Sequence, residues 1–593
     1  MGLPSRSGSA MEGTEGTMNT DAGYWGRGLS RRRFLSSSAV ATAGLGGAAL
    51  IGCRSGGEGG SGGDAKPTTA PQTAKGPTAS SILGKQWTLR EPDGVPRYGG
   101  TINFASRVPT LPNLDPFQST AAMAHQVASM SYSHLVHNSH PANNYNETLY
   151  YPDVATSWEI SDPTKFTFKL RNDVKFHNVA PLNGRALTSA DVKYAVERAA
   201  TDKLSPFRGT LGSIKSIDTP DPTTVVLNLK NFDAGLFPAL ADRFAWLIPR
   251  EMVESGQLRQ KMVGSGPFIF QQWEQDSRVQ FKKNPDFYVK GAPFVDEVNF
   301  LQITDAQTRL ATFRSGKANI AGIEASDFDE ISKDKAFEVQ TYIAVGTASI
   351  MMNYADPRFK DERVRQAISL VANRDEVLKI QSDPKGLWRG VLSAQNAGWV
   401  LSQDELKSKR FYLRQDLQEA KQKMTAAGYP DGFPTKFTYR TGIRAEEEFP
   451  QYIAETGKKA GVLNIQLVPQ DNATMRKNQD EQKYEGLISG IDGEPLPEAF
   501  LLDFRTGGPK NGMGLSDKEL DAKIDKVISI PDNNTRKEAV LNLTRELLEK
   551  VMWKTNFTDN TTSDQWRKEV HGYVGPVPQQ YNHNGLAFTW VDK

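Results

Sequence analysis

The sequence predicts a mixed α/β protein of several lobes, carried behind an export leader. Three observations predict it. Strand-like and helix-like stretches interleave along the whole body instead of segregating into blocks. The chain has 593 residues, several times an ordinary domain of roughly 100–150 residues. Beyond the N-terminal leader, no uncharged run approaches the ~18 apolar residues that a spanning helix requires.

The leader comes first. Arg31, Arg32 and Arg33 stand ahead of an uncharged run from Phe34 to Gly52, built mostly of Ala, Gly, Leu, Val, Ser and Thr. A permanent span would be richer in Leu, Ile and Phe; small residues before a cut site mark a cleaved signal. The stretch Ser30-Arg31-Arg32-Arg33-Phe34-Leu35 resembles the twin-arginine export motif. Leu50-Ile51-Gly52-Cys53 resembles a bacterial lipobox, which implies cleavage before Cys53 and a lipid on its sulfur. The other reading is a basic patch beside an Ala/Gly-rich linker. The Gly-, Ser-, Thr- and Pro-rich segment that follows has almost nothing to pack and reads as a flexible tether. The expected organisation is therefore a signal peptide over 1–52 and a lipid-anchored tether over 53–96.

Composition bounds the body. Lys and Arg number 71 against 69 Asp and Glu, so no excess of positive charge points to nucleic acid. Hydrophobic residues at 38% and ten tryptophans supply real cores. Cys53 is the only cysteine, which leaves neither a disulfide nor thiol chemistry to the body. No repeat of fixed period is visible.

Along the body, Phe166, Phe168 and Leu170 alternate with Thr167 and Lys169, the period of a half-buried strand. Asp162-Pro163 is a turn signal, so Trp158-Glu159-Ile160 should pair with it. Thr188 followed by Asp191 reads as a helix start, with Val192, Ala195, Val196 and Ala199 on one buried face. Further strands are expected from Thr223, Arg278 and Val295. One helix is expected through Asp361–Ile380, with Val364, Ala367, Ile368, Val371 and Ala372 inward; others span Asp416–Ala427, ended by Gly428, and Arg536–Met552.

Several blocks together carry a resemblance. They are Leu170-Arg171, Phe176-His177, Leu187-Thr188-Ser189-Ala190-Asp191-Val192, Leu114-Asp115-Pro116, Gly264-Ser265-Gly266-Pro267-Phe268, Asn284-Pro285-Asp286-Phe287-Tyr288 and Asp361 to Glu376. In their order along the chain they resemble the signature of the family 5 extracellular solute-binding proteins, the oligopeptide, dipeptide and nickel receptors of ABC importers. Asn178-Val179 departs from that pattern by replacing Asp-Gly. The resemblance covers about residue 97 to the C-terminus. It implies a periplasmic-binding-protein-like fold (type II, cluster C) with two lobes and an extra inserted domain. Lobe I would comprise 97–146, 261–354 and 557–593; the inserted domain, 147–260; the distal lobe, 355–556.

No zinc-protease helix, nucleophile elbow or P-loop is present, and Gly264-Ser265-Gly266 reads as a buried turn leading into a strand. His134, His137 and His140 stand three apart; on a continuous helix they would share a face and could chelate a metal. Loop signals at Asn138 to Pro141 stop such a helix near His137, so no metal and no cofactor is expected. Trp246 reads as core of the inserted domain.

The resemblance implies that Asp492 pairs with the amino terminus of a bound peptide, although Ser489, Gly490 and Ile491 stand where peptide-binding relatives carry an aromatic. A solvent-facing turn acid is the other reading of Asp492. Trp388 and Trp399 lie in a Gly-rich stretch that could cap a ligand or simply pack. Tyr342 and Asn353 flank the expected passage between lobes and complete the candidate set. The expectation is a non-enzymatic, monomeric lipoprotein outside the cytoplasm. It would capture a small solute, preferably a short peptide, and serve a permease and its ATPase, held to the membrane by its lipid and binding no nucleic acid. Oligosaccharides and nickel chelates are the other solutes; a secreted hydrolase using cleft carboxylates and a surface scaffold are the readings from other classes.

Overall fold

The computed structural model describes residues 95–592, apart from 107–110, 112, 118–121, 140–148, 204, 206–210, 325–326, 345–347, 384, 397, 491–496, 509–510, 552–553 and 576–582. Arg31, Arg32, Cys53, His140 and Asp492 lie outside the described residues. No helix among those described is long and apolar enough to cross a membrane.

Three sheets organise the body. The first runs, edge to edge, Phe337–Ala344, Thr558–Arg567, Ile320–Ala321, Thr101–Ser106, Glu297–Gln302, Arg278–Lys283 and Phe268–Glu274. Within it Thr101–Ser106 pairs in parallel with both neighbours, and the remaining pairs are antiparallel. The second runs Leu463–Gln470, Phe433–Arg440, Leu487–Ser489, Ser349–Met352 and Lys554–Asn556. Its first three strands are parallel and the last two antiparallel to their neighbours. The third sheet has four antiparallel strands, ordered Ala155–Asp162, Lys165–Leu170, Thr224–Leu229 and Ile214–Asp221.

The expected strands are present. Trp158 opposes Phe168 and Ile160 opposes Phe166, and Phe166, Phe168 and Leu170 point into the core. Fully burying one such phenylalanine contributes about 1.5–3 kcal/mol. The helix Ser189–Thr201 starts where Asp191 reaches back to the Thr188 N–H at 2.8 Å. It buries Val192, Ala195, Val196 and Ala199 as expected. The helix Leu417–Ala426 is capped by Asp416, and Gly428 beyond it takes φ +91°, the left-handed conformation that favours glycine.

Two helices differ from expectation. The segment 361–380 is two helices, Glu362–Leu370 and Arg374–Ile380, because the Asn373 side chain accepts hydrogen bonds from the Asp375 and Glu376 amides and starts a new helix. The helix Asn533–Lys550 begins before Arg536 because Asp532 caps it through the Thr535 N–H.

The blocks read from the sequence meet in space. Gly264, Ser265 and Gly266 lie against the end of the helix Ala122–Ser131, with the Gly266 N–H donating to Ser131 O at 2.9 Å. A Cβ on Gly264 would fall 2.1 Å from that oxygen, and one on Gly266 would fall 2.6 Å from Met130 O. Only glycine allows the approach. His177 Nε2 and Asn284 Nδ2 both donate to Gly266 O at 3.0 Å. Asp115 accepts from the Phe117 N–H and pairs with Arg198 at 3.4 Å, tying the early loop to the helix Ser189–Thr201.

One continuous apolar cluster joins the third sheet to the first: Phe166, Phe168, Phe237 and Trp246 belong with Phe281, Phe300 and Val298. Trp246 is core, 1% exposed. The second sheet and its helices pack in two further clusters.

Candidate functional site

The chain passes from the first sheet to the second between Ala344 and Ser349, and returns between Asn556 and Thr558. The two passages are neighbours: Ala344 opposes Asn560 in one sheet and Ser349 opposes Asn556 in the other. Register fixes which strand ends face them. Thr558–Arg567 leaves the passage, and Ile320–Ala321 runs antiparallel to it, so the three parallel strands of the first sheet run toward the passage. Lys554–Asn556 also runs toward it; Ser349–Met352 runs away, and Leu487–Ser489 and its two parallel neighbours run back toward it. Both sheets thus aim the carboxyl ends of their parallel strands at the crossover, the place where open α/β sheets bind ligands.

The crossover is held from one side by Asp383 and residues 385–394. Leu387 and Trp388 pair with Asp559 and Thr558. Asp559 is fully buried, accepts the Ala394 N–H at 2.7 Å and faces Arg389 Nε at 3.6 Å. Burial lowers the Arg389 pKa below its usual value, and Asp559 opposes that fall. The Arg389 N–H donates to Phe557 O at 3.1 Å, Asn556 Nδ2 donates to the Gly390 and Val391 carbonyls, and Asp383 accepts the Thr561 N–H. At Gly386 a Cβ would fall 2.7 Å from Asp559 O, so the close approach again requires glycine.

Trp388 therefore sits on a short strand rather than in an irregular loop. Its indole N–H donates to Asp375 Oδ1 at 2.7 Å, and Lys407 Nζ lies 5.3 Å from the ring centre. Tyr342 lies on the strand Phe337–Ala344 opposite Thr562, its hydroxyl 3.5 Å from Asp564 Oδ1. Gly490, two residues before Asp492, exchanges hydrogen bonds with Ser349, the first residue after the outward passage: Gly490 N–H to Ser349 O at 3.2 Å, and Ser349 Oγ to Gly490 O at 2.8 Å. The structure thus brings Trp388, Tyr342 and the residue leading into 491–496 to one crossover.

Asn353 and Trp399 go elsewhere. Asn353 follows the far end of Ser349–Met352, about 13 Å of strand from the crossover. It is buried, with Nδ2 donating to Tyr484 O and Oδ1 accepting the Ala355 N–H. It lines an open groove of 640 Å³ with Arg358, Lys436, Gln466 and Glu485, at the amino ends of the parallel strands. Trp399 packs against the helical cluster of the second half, under the Arg536 guanidinium at 5.6 Å.

The sequence reading did not single out Arg389, Asp559 or Asp503. Asp503, just past the helix Pro497–Leu502, is pushed well above the usual carboxylate range by burial. A signal exists only for Asp503, an acid inside an apolar run; Arg389 and Asp559 are too far apart in sequence for spacing to reveal them.

Residues 150–512 match the family model described as bacterial extracellular solute-binding proteins, family 5 Middle. The chain is 24% identical over 446 residues to the oligopeptide-binding protein AppA of Bacillus subtilis, covering 71% of this chain and 78% of AppA. Among solved structures, AgaA of A. tumefaciens R10 in complex with agropinic acid aligns with a TM-score of 0.69 at 23% identity, covering 83% of this chain and 99% of AgaA. The periplasmic binding protein DppA of Helicobacter pylori in complex with the peptide STSA aligns with a TM-score of 0.69 at 21% identity, covering 84% and 99%. Both alignments show the periplasmic-binding-protein fold.

Proposed function

Because this chain belongs to family 5 of the bacterial extracellular solute-binding proteins, we propose that it captures short peptides between two lobes and delivers them to the permease and ATPase of an ABC importer. The observation that carries this reading is the shared orientation of the two sheets, whose parallel strands aim their carboxyl ends at one crossover. Residues 97–146, 261–348 and 557–593 would form one lobe and 147–260 the inserted domain; the other lobe would be 349–556, starting earlier than the 355 expected from the sequence because Ser349–Met352 pairs in the second sheet. Trp388 and Tyr342 stand where a solute would be enclosed. Asp492 supplies the carboxylate for a peptide amino terminus, a charge-assisted bond that counts for more once water is excluded. Peptide backbones offer regular donors and acceptors, which permits recognition irrespective of side chain. The likeness of the chain to AppA, an oligopeptide-binding protein, supports the same class.

The test is to release and identify the cargo of natively purified protein by mass spectrometry. Peptides are the expected cargo; a carbohydrate, a metal chelate or an opine-like acid would replace the peptide reading. Asp492→Ala should weaken binding of the recovered peptide by about 1.5–3 kcal/mol by titration calorimetry, and unchanged affinity removes Asp492 from the site.

The same reading includes the address. Arg31 and Arg32 direct twin-arginine export, and Cys53 carries the lipid that holds the monomeric body at the membrane surface. Cys53→Ser should leave peptide binding intact while shifting the protein from the membrane to the soluble fraction; retention in the membrane would rule out the anchor.

A further inference from the structure

Away from the crossover, three side chains converge that no part of solute capture uses. The helix Ala122–Ser131 stops short of His134, and His137 lies on the strand Val136–Ser139, so the helical chelate suggested by the histidine spacing does not form. Instead, the chain returns through Leu149–Pro152, pairing His137 with Tyr151, and delivers Asp153 to the two histidines. One ligand atom from each of His134, His137 and Asp153 lies within 4.8 Å of the others.

The tautomer of His134 follows from its surroundings. Nε2 lies 3.0 Å from the Asp242 carbonyl oxygen, which can only accept, so Nε2 carries the proton. Nδ1 is then a lone pair; it is buried, and no hydrogen-bond donor meets it. A ring N–H on a backbone carbonyl with the other nitrogen bare is the arrangement that orients metal-ligating histidines. The Asp153 carboxylate is oriented by the Tyr288 hydroxyl and by the His134 N–H at 2.9 Å.

We propose that His134, His137 and Asp153 form a binding site for a divalent transition-metal ion of the zinc class. Two imidazoles and a carboxylate suit zinc, and a tetrahedral site with bonds of about 2.0–2.2 Å sets its ligands roughly 3.3 Å apart. Side-chain adjustment of at most about 1.5 Å between ligand atoms closes the trio to that geometry. A cavity of 30 Å³ lined by His137, Asp153 and Tyr288 adjoins two of the three ligands and is large enough for a water ligand. The cavity is lined by the paired strands Val136–Ser139 and Leu149–Pro152, the Tyr288 loop and Ala587 and Phe588, and by no residue of the crossover, so the ion would staple the two strands to the Tyr288 loop without touching the solute site.

The test uses the full untagged chain, stripped with a chelator, offered Zn²⁺ at neutral pH and desalted. About one zinc per chain should remain by elemental analysis, and the thermal midpoint should rise with zinc and fall on chelation. Asp153→Asn and His137→Gln should each weaken zinc at least about tenfold, with near-UV circular dichroism reporting that the fold is kept. Tyr288→Phe, which leaves all three ligands in place and removes one of the two groups orienting Asp153 together with a bond to Ser133, should weaken zinc by about tenfold and decides the matter if a ligand variant does not fold. A wild-type chain that retains no zinc, or folded variants that retain as much as wild type, overturns the site.

Discussion

At the scale of single residues, His177 links two sequence blocks and sets a pH limit on the fold. Its Nε2–H donates to Gly266 O, which leaves Nδ1 as the acceptor facing the Gly264 N–H at 3.4 Å. Burial lowers its pKa from 6.5 to about 4, and the hydrogen bond to Gly266 works in the opposite sense. As pH falls, the unfolded chain takes up this proton first. Stability from the neutral ring is therefore intact above pH 6.5 and lost as pH falls toward 4, a difference of about 3 kcal/mol. His583, lowered by burial to about 3, adds to the loss. His177→Gln keeps an N–H for Gly266 and removes the titration. Its urea midpoint should drop less than wild type between pH 6.5 and 4; parallel pH profiles would contradict the assignment. The sequence displays Phe176-His177 and the glycine turn as separate blocks, because the bond between them spans 87 residues. Periodicity has no reach over such distances, and for the same reason the buried Arg389–Asp559 contact could not be read.

Elements were legible where packing and local chemistry agree. Lys165–Leu170 alternates because one face of its sheet is buried, and Ser189–Thr201 combines a start signal with a single apolar stripe. Where they diverge, the reading fails. The apolar stripe of Val364, Ala367, Ile368, Val371 and Ala372 continues past the end of the helix Glu362–Leu370, and all five residues are fully buried. The pattern reports burial, and burial persists through the break; only the two amides bound by Asn373 reveal the second helix. Asn373→Ala should cost about 1 kcal/mol in urea unfolding, and Asn373→Ser, which can still cap, should restore most of it. Equal loss in both variants would assign the effect to something other than the cap. Leu387–Trp388 is too short for any period to mark, which is why Trp388 read as part of a loop. Tyr342 and Asn353 were read alike as flanking the passage, yet Tyr342 lies in a strand beside it while the Asn353 side chain is committed to the Tyr484 and Ala355 backbone.

For the whole molecule, the division of the apolar clusters matters more than the number of sheets. The third sheet shares one cluster with the first, so neither can open without exposing the other's core. The second sheet packs by itself with its helices. In native-state hydrogen exchange under rising urea, amides of Lys165–Leu170 and Arg278–Lys283 should converge on one opening free energy, and those of Phe433–Arg440 on a different one. A separate, lower opening for Lys165–Leu170 would show that the third sheet is an autonomous module.

The paired passages between the sheets have a mechanical consequence. Two chain segments hydrogen-bonded to each other both before and after the junction behave as a strap and not as a thread. A strap folds readily across its width but resists being wrung or slid. Motion about it therefore reduces to one angle, and the clasp of Arg389 and Ala394 on Asp559 makes one flank stiffer than the other. Distances measured between spin labels on the two sides should spread along a single direction as the angle varies.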